Sequence, residues 1–252
     1  MMFSGKTVVV TGAGGGFGEG IAKRFASLKG RVVVIDVRAD QAERVADEIR
    51  HAGGEALAVA ADVTRDRDVA LAAARTTGAF GAADILVNNA GITHKNRPML
   101  EVDEETFDRV FAVNVKSIYL SAKHFVPTMQ ERGSGVIVNV ASTAGLRPRP
   151  GLTWYNGSKG AAILLTKSMA IELAPFRIRV NAVNPVMGET GMLPQLLPGD
   201  DNEAIRGKIL GTIPLGRFSQ PRDIANAVTF LANDESDLIT GACLEVDGGR
   251  CI

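Results

Sequence analysis

Short apolar runs rich in valine and isoleucine alternate along this chain with longer stretches whose apolar residues recur every three or four positions. The runs at 6–11, 31–36, 56–60, 84–87, 136–140, 179–183 and 242–246 have strand length and are apolar almost throughout, which predicts strands covered on both faces. Between them, Ile21, Ala22 and Phe25 mark a helix opening at Glu19, and a second helix is expected over 41–52, closed by Gly53-Gly54. A long helical region over 104–132 takes its apolar positions from Phe107, Val110, Phe111, Val113, Ile118 and Phe125, and another helix is predicted over 153–174. Strand and helix alternating to the end is the pattern of an α/β fold, a doubly wound parallel sheet with helices on both faces.

Composition narrows the function classes. The 252 residues are 46% hydrophobic and 22% charged, with no Pro/Ser-rich linker or shift in composition, so a single domain over 1–252 is expected. Basic and acidic residues balance at 28 each, which removes the global field that would draw in nucleic acid or an anionic membrane. No uncharged apolar run reaches the ~18 residues of a membrane span. The first strand begins too early to leave room for a leader, so a cytoplasmic protein is expected. Cys243 and Cys251 lack a CxxC partner or a histidine cluster, so free thiols are expected and no metal site.

The first strand ends in Thr11-Gly12-Ala13-Gly14-Gly15-Gly16-Phe17-Gly18, which runs directly into a helix. Glycine suits such a turn because it accepts positive φ and lets a pyrophosphate approach the backbone N–H groups at the helix N-terminus. The spacing is G-x-x-x-G-x-G, carried by Gly12, Gly16 and Gly18, and a glycine turn without a ligand remains open on this motif alone. The second strand ends in Asp36, a carboxylate placed to accept from ribose hydroxyls and to repel a ribose phosphate, which favours NAD over NADP; Arg38 pulls the other way. Asp62, at the end of the third strand, suits either an adenine amino group or a helix cap. Asn88-Asn89-Ala90-Gly91 closes the fourth strand, where Asn89 is placed to pin an irregular turn.

Tyr155 and Lys159 stand four apart on one helix, and an ammonium beside a phenol favours the phenolate, a sensible acid/base arrangement. Tyr119 and Lys123 share that spacing. Ser142, at a strand end one connection before Tyr155, favours Tyr155 and Lys159, leaving Tyr119 as a packing or interface residue.

Taken together in order, Thr11-Gly12-x-x-x-Gly16-x-Gly18, Asp62, Asn88-Asn89-Ala90-Gly91, Asn114, Ser142, Tyr155-x-x-x-Lys159 and Asn184-Pro185 resemble the short-chain dehydrogenase/reductase family across essentially the whole chain. The resemblance implies a single Rossmann-type domain with a seven-stranded parallel sheet and a catalytic group of Asn114, Ser142, Tyr155 and Lys159. By it, Tyr155 exchanges a proton with the substrate oxygen, Ser142 bonds that oxygen, and Lys159 binds the nicotinamide ribose and lowers the Tyr155 pKa. Asn114 holds a water that links Lys159 to solvent. Cofactor contacts are implied for Gly12, Gly16, Phe17, Gly18, Asp36, Asp62, Val63, Asn89, Ala90, Gly91, Tyr155, Lys159, Pro185 and Thr190, with direct hydride transfer and no metal. Val186 departs from the family, placing a side chain where the backbone is usually bare.

The segment 190–216, with Pro194, Pro198 and Gly199-Asp200-Asp201, reads as an irregular substrate lid. Trp154, Leu146, Thr93, His94 and Glu189 are expected to line the pocket, and Lys95, Arg97, Arg147 and Arg149 to stand near its mouth, where they could attract an anionic substrate. The expected function is NAD-dependent oxidation of a secondary alcohol, sugar-like or polyol-like. A 3-oxoacyl reductase using NADPH and a dinucleotide-binding regulator without turnover are the rivals. A small-molecule substrate and a homotetramer are the expected partners.

Overall fold

The computed structural model describes residues 2–199 and 201–252; Asp200 of the expected lid lies outside the described residues. Strands β1 (Thr7–Thr11), β2 (Arg31–Asp36), β3 (Glu55–Ala60), β4 (Ile85–Asn88), β5 (Gly135–Val140), β6 (Ile178–Pro185) and β7 (Cys243–Val246) form one parallel sheet in the order β3-β2-β1-β4-β5-β6-β7. The direction of winding reverses between β1 and β4, and in such sheets the crevice beyond the strand carboxyl ends at that point receives the ligand.

Why the strands read as unbroken apolar runs is visible in the packing. Val8, Val10, Val32, Val34 and Val87 face one side of the sheet with Ile21, Phe25, Val45, Ile49, Ile224, Val228 and Leu231, which come from α1 (Gly16–Ser27), α2 (Ala39–His51) and α9 (Pro221–Ala232). Their neighbours Val9, Val33, Ile35 and Leu86 face the other side. There they meet α3 (Asp66–Phe80), α5 (Ser117–Arg132) and α6 (Thr153–Leu173) through Val69, Leu120, Phe125, Met129, Ala170 and Leu173. Each buried aliphatic side chain contributes roughly 1.5–3 kcal/mol, so alternation would have sacrificed half of it.

Two departures from the expected elements bear on the site. The region expected as one helix over 104–132 is α4 (Glu104–Phe111), a π-helical turn over Ala112–Lys116, and α5. Asn114 sits in that turn, and a π turn rotates its side chains relative to the helix on either side. The expected lid is also more ordered than its prolines suggest. Short helices α7 (Leu193–Leu196) and α8 (Glu203–Leu210) pack Leu193, Leu197 and Ile209 with Val186, Met187, Ile213 and Phe218. Val186 is thus the root of a small apolar cluster under the segment. The bare backbone occurs at Gly188, where a Cβ would overlap the Phe17 ring.

Candidate active site

A cavity of about 960 Å³ opens at the strand carboxyl ends, running from Asp36 past the glycine loop to Tyr155. It collects every catalytic and cofactor residue anticipated from the sequence except Gly18 and Asn114, which stand just behind its wall. Gly12 and Gly16 have φ of +61° and +55°, a region that favours glycine. A Cβ at Gly18 would overlap the Gly12 carbonyl oxygen and crowd Asn89 Nδ2, so α1 approaches the loop only because that side chain is missing. Gly14 N–H donates to Asp36 Oδ2 at 2.9 Å, and a Cβ on Gly14 would lie 2.7 Å from the same oxygen. Gly14 was hidden among the variable positions of the motif; the geometry makes it the link between loop and carboxylate.

Asp36 is enclosed, and its second oxygen accepts from Arg38 N at 3.0 Å and Arg38 Nε at 3.4 Å. Arg38, which argued for a ribose phosphate, is therefore partly neutralised by the carboxylate that argues against one. Asp62 accepts from Thr64 N and Thr64 Oγ1 at 2.9 and 2.7 Å. Burial would raise its pKa, but these bonds and the charges of Arg65 and Arg109 outweigh burial and leave it below the ordinary value. It is not the cap of α3: that position belongs to Arg65, and Asp62 closes a turn ahead of it. Asn89 Nδ2 donates to the carbonyls of Thr11 and Gly12 at 2.8 and 3.0 Å, and Thr11 Oγ1 accepts from the N–H groups of Asn89 and Ala90. The asparagine turn is sewn to the glycine loop.

At the other end of the cavity, the 3-10 turn Thr143–Gly145 starts at Ser142, whose Oγ accepts from Ala144 N at 3.1 Å, which leaves its O–H as the donor. Tyr155 and Lys159 are both buried on the same face of α6. Lys159 Nζ donates to Val140 O at 2.9 Å and lies 6.0 Å from the centre of the Tyr155 ring. Burial pushes the Lys159 pKa down to about 8. Burial also raises the Tyr155 pKa, against which a hydrogen bond from Ser142 and the charge of Arg149 act. The expected lowering by Lys159 is thus corrected: the phenol is held above its ordinary value, and the cation acting on it is Arg149. Desolvation outweighs these favourable contacts because the buried phenolate would be cut off from water.

Asn114 Oδ1 accepts from Ile92 N at 2.8 Å, and its Nδ2 donates to Ile92 O and Ser158 Oγ, both at 2.9 Å. Ser158 in turn donates to Tyr155 O, so one amide ties the β4 exit to α6. A Cβ at Gly91 would come within 3.3 Å of Lys159 Nζ and 3.4 Å of Asn114 Oδ1, so that small space exists because position 91 is bare.

Several expectations fail here. Trp154 donates to Met99 O and packs edge-on against Phe107, Thr93 and His94 are turned into their own loop, and Leu146 is exposed. Glu189 faces a separate cleft with Glu19, Lys23 and Arg206. Arg147 is bonded to the carbonyl of Arg250 near the chain end, away from the pocket. Tyr119 is 60% exposed on α5, which excludes internal packing, and Lys123 pairs with Asp66. The residues that do line the substrate end are Arg149, Leu152, Met187, Met192 and Leu196. No local spacing distinguishes them, since they come from loops whose paths only the packing decides.

The residues fit a dinucleotide. The loop presents bare backbone to the cavity, with only Arg38 Nη2 within 4 Å of a Cβ at Gly15, and Asp36 stands at the far end. Together with a buried Tyr-Lys pair at the near end, this defines a nicotinamide-dependent oxidoreductase of CH–OH groups. A family model described as enoyl-(acyl carrier protein) reductase matches residues 12–250. The chain is 48% identical over 252 residues to the 4-formylbenzenesulfonate dehydrogenase of Comamonas testosteroni, covering 100% of both chains. It is 42% identical over 246 residues to the 2-(R)-hydroxypropyl-CoM dehydrogenase of Xanthobacter autotrophicus, covering 96% of this chain and 97% of that one. A crystal structure of 3-ketoacyl-(acyl-carrier-protein) reductase from Brucella melitensis complexed with NADH is similar at a TM-score of 0.92 and 47% identity over 99% of each chain. The protein belongs to the short-chain dehydrogenase/reductase family.

Proposed function

We propose that this protein is an NAD-dependent dehydrogenase of a secondary alcohol, or of the corresponding carbonyl in reverse, with Tyr155 as the acid/base. The observation that carries this reading is the convergence of Ser142, Tyr155 and Lys159 at one end of a cavity whose other end is closed by Asp36. A bound nicotinamide supplies the hydride acceptor. Tyr155 holds the proton at its phenol oxygen and exchanges it with the substrate oxygen. Ser142 Oγ, whose lone pair is taken by Ala144 N–H, donates to that oxygen and orients it. Lys159 keeps N–H groups free after its bond to Val140 and offers them to the nicotinamide ribose. Asn114 fixes α6 through Ser158 and borders the space over Gly91 in which a water would connect Lys159 outward. Gly12, Gly14, Gly16, Phe17 and Gly18 form the pyrophosphate cradle, Asp36 takes the adenosine ribose, Asp62 and Val63 the adenine, and Asn89, Ala90, Gly91, Pro185 and Thr190 the nicotinamide side.

NAD is favoured over NADP because Asp36 is enclosed and ionisable where a ribose phosphate would sit, with Arg38 already engaged by it. Replacing Asp36 with alanine should weaken NAD binding about 10- to 100-fold, the effect of losing charge-assisted hydrogen bonds, and narrow the gap to NADP. Titration of both dinucleotides checks this.

The walls around Tyr155 are Leu152, Val186, Met187, Met192 and Leu196, which suit a substrate with an apolar frame better than one hydroxylated throughout. The relative named for 4-formylbenzenesulfonate offers such a frame, a ring bearing the reacting group and a remote sulfonate. A second reading, 3-oxoacyl reduction, draws on the Brucella melitensis structure and requires NADPH or NADH consumption with an acyl thioester. Cofactor reduction followed over alcohols, sugars and hydroxyacids, and NADH or NADPH oxidation followed over 3-oxoacyl thioesters, each against Tyr155→Phe, separates the two. A signal that persists in the variant refutes the assignment. We also place the protein in the cytoplasm as a homotetramer. Support comes from the two free cysteines and from the apolar side chains Tyr119, Leu164, Ile171 and Phe176 exposed on α5, on α6 and just beyond it. No helix among the described residues is long and apolar enough to cross a membrane.

A further inference from the structure

Arg149 lies in the connection from β5 to α6 and its side chain enters the wall of the cavity that holds Ser142 and Tyr155. Its Nη2 is sealed from solvent and has no hydrogen-bond partner. No carboxylate pairs with it among the described residues; the charged group nearest in influence is Arg250, which repels it, and Tyr155 and Cys251 are the other titratable groups it feels. Arg250 is itself buried, with Nε and Nη1 unpartnered, while the adjacent Asp247 is occupied by the N–H groups of Gly249 and Cys251. A half-buried guanidinium with one nitrogen sealed and no counter-charge is unfavourable unless something brought to the site pairs with it.

The position of Arg149 is built. Asn156 Nδ2 donates to the Arg149 carbonyl at 2.9 Å, Asn96 Nδ2 to that of Pro150 at 3.2 Å, and Arg97 N–H to that of Gly151 at 3.0 Å. Gly151 has φ of +75°, and a Cβ there would overlap Asn96 Oδ1. The segment is therefore held from α6, from the loop after β4 and from its own glycine, so the backbone that carries the guanidinium is in place before a ligand arrives.

We propose that Arg149 determines substrate specificity by holding a carboxylate or sulfonate at the end of an apolar frame whose carbinol or carbonyl carbon lies at Tyr155. The proposal rests on the oxidoreductase reading above and narrows it to anionic substrates. Leu152, Leu196 and Met192 contact the frame, and the planar fork of the guanidinium matches an oxyanion with two parallel hydrogen bonds.

Binding of cyclohexanecarboxylate and of cyclohexanecarboxamide to the NAD-loaded enzyme, measured by calorimetry, tests it without turnover. The native protein should prefer the carboxylate by about tenfold or more; Arg149→Met should abolish the preference and Arg149→Lys retain part of it. Equal affinity for the two probes in the native protein, absence of binding by either included, overturns the proposal, as does a preference that survives in Arg149→Met. In turnover, the alcohol 4-hydroxycyclohexanecarboxylate is compared with its amide, and the ratio of their kcat/KM values should fall about 10- to 100-fold in Arg149→Met, mostly through KM. Taking the ratio cancels the change in Tyr155 acidity that removal of Arg149 also brings. If both alcohols are oxidised in a Tyr155-dependent way with an unchanged ratio, the anion site is wrong and the dehydrogenase stands. If no alcohol is oxidised, the dehydrogenase reading fails and the calorimetry still decides Arg149.

Discussion

The two ends of the cavity are built on different principles. At the cofactor end, contacts are made by backbone and by short side chains on strand termini: the loop 12–18, Asp36 at the end of β2, and Asn89 bonded to Thr11 and Gly12. At the substrate end, the walls are long side chains on connections: Arg149, Leu152, Met187, Met192 and Leu196. The first kind of site tolerates little variation, since the missing Cβ atoms of Gly12, Gly14 and Gly18 are required by atoms already in place. The second can be relined without disturbing the sheet. This contrast explains how one fold holds a constant cofactor while its substrates change.

The sharpest way to break the comparison is at the point where the ends meet. Tyr155→Phe removes the proposed proton-transfer group and leaves the apolar cluster of Ala144, Leu152 and Leu196 in place. Turnover should drop by about 10²- to 10⁴-fold, with NAD affinity nearly intact because the cradle is remote from the phenol. Stopped-time assays together with dinucleotide titration check both halves of that statement. Because burial holds the Tyr155 pKa above its ordinary value, the phenol is protonated at neutral pH, and alcohol oxidation should accelerate as pH rises toward that pKa.

The same contrast accounts for what could be read in advance. The five inner strands were legible because burial on both faces forces unbroken apolar runs, the partly exposed edge strands β3 and β7 by their place in the alternation, and the cofactor end because positive φ and close approach force glycine. Asn114 was legible only through the family resemblance: a mid-helix asparagine looks solvated, and the π turn that aims it at Ile92 and Ser158 has no local signature. Trp154, Thr93, His94 and Glu189 were misplaced because nearness in sequence to a strand end does not say which way a loop turns. Arg147 and Arg149 look alike in sequence, yet the first is bonded to the carbonyl of Arg250 and the second faces the cavity.

A smaller effect is expected within the cradle itself. Gly18→Ala sets a methyl against the Gly12 carbonyl oxygen and Asn89 Nδ2, both held by other bonds, so α1 must retreat from the loop. Overpacking of this kind costs about 1–3 kcal/mol, and the retreat also moves the helix N-terminus from the pyrophosphate. Unfolding by denaturant and NAD titration should therefore both weaken, whereas the same change at Gly78, where a Cβ meets nothing within 4 Å, should be neutral or slightly stabilising in helix α3.

The smallest expected effect concerns stability at the substrate end, and its sign is opposite to that at Gly18. Burial brings the Lys159 pKa from 10.5 to about 8, so the folded protein at pH 7 holds an ammonium it disfavours. Below pH 8 both folded and unfolded chains carry the proton and the penalty is complete. Between about 8 and 10.5 the folded chain releases it first, and stability rises with pH. Above 10.5 both are neutral and the penalty is gone. The shift corresponds to roughly 3 kcal/mol at about 1.4 kcal/mol per pKa unit, and Lys159→Met would forfeit the bond to Val140 O, about 1–2 kcal/mol. The variant should then be inactive yet more stable at pH 7 by about 1–2 kcal/mol, a rise of roughly 2–6 °C in Tm for a chain of this size. That advantage should shrink through pH 8–10 and reverse once Lys159 is neutral in the native chain. A variant less stable at pH 7 would mean that Val140 and the cavity solvate the ammonium fully, and that this end of the site is no more strained than the glycine cradle.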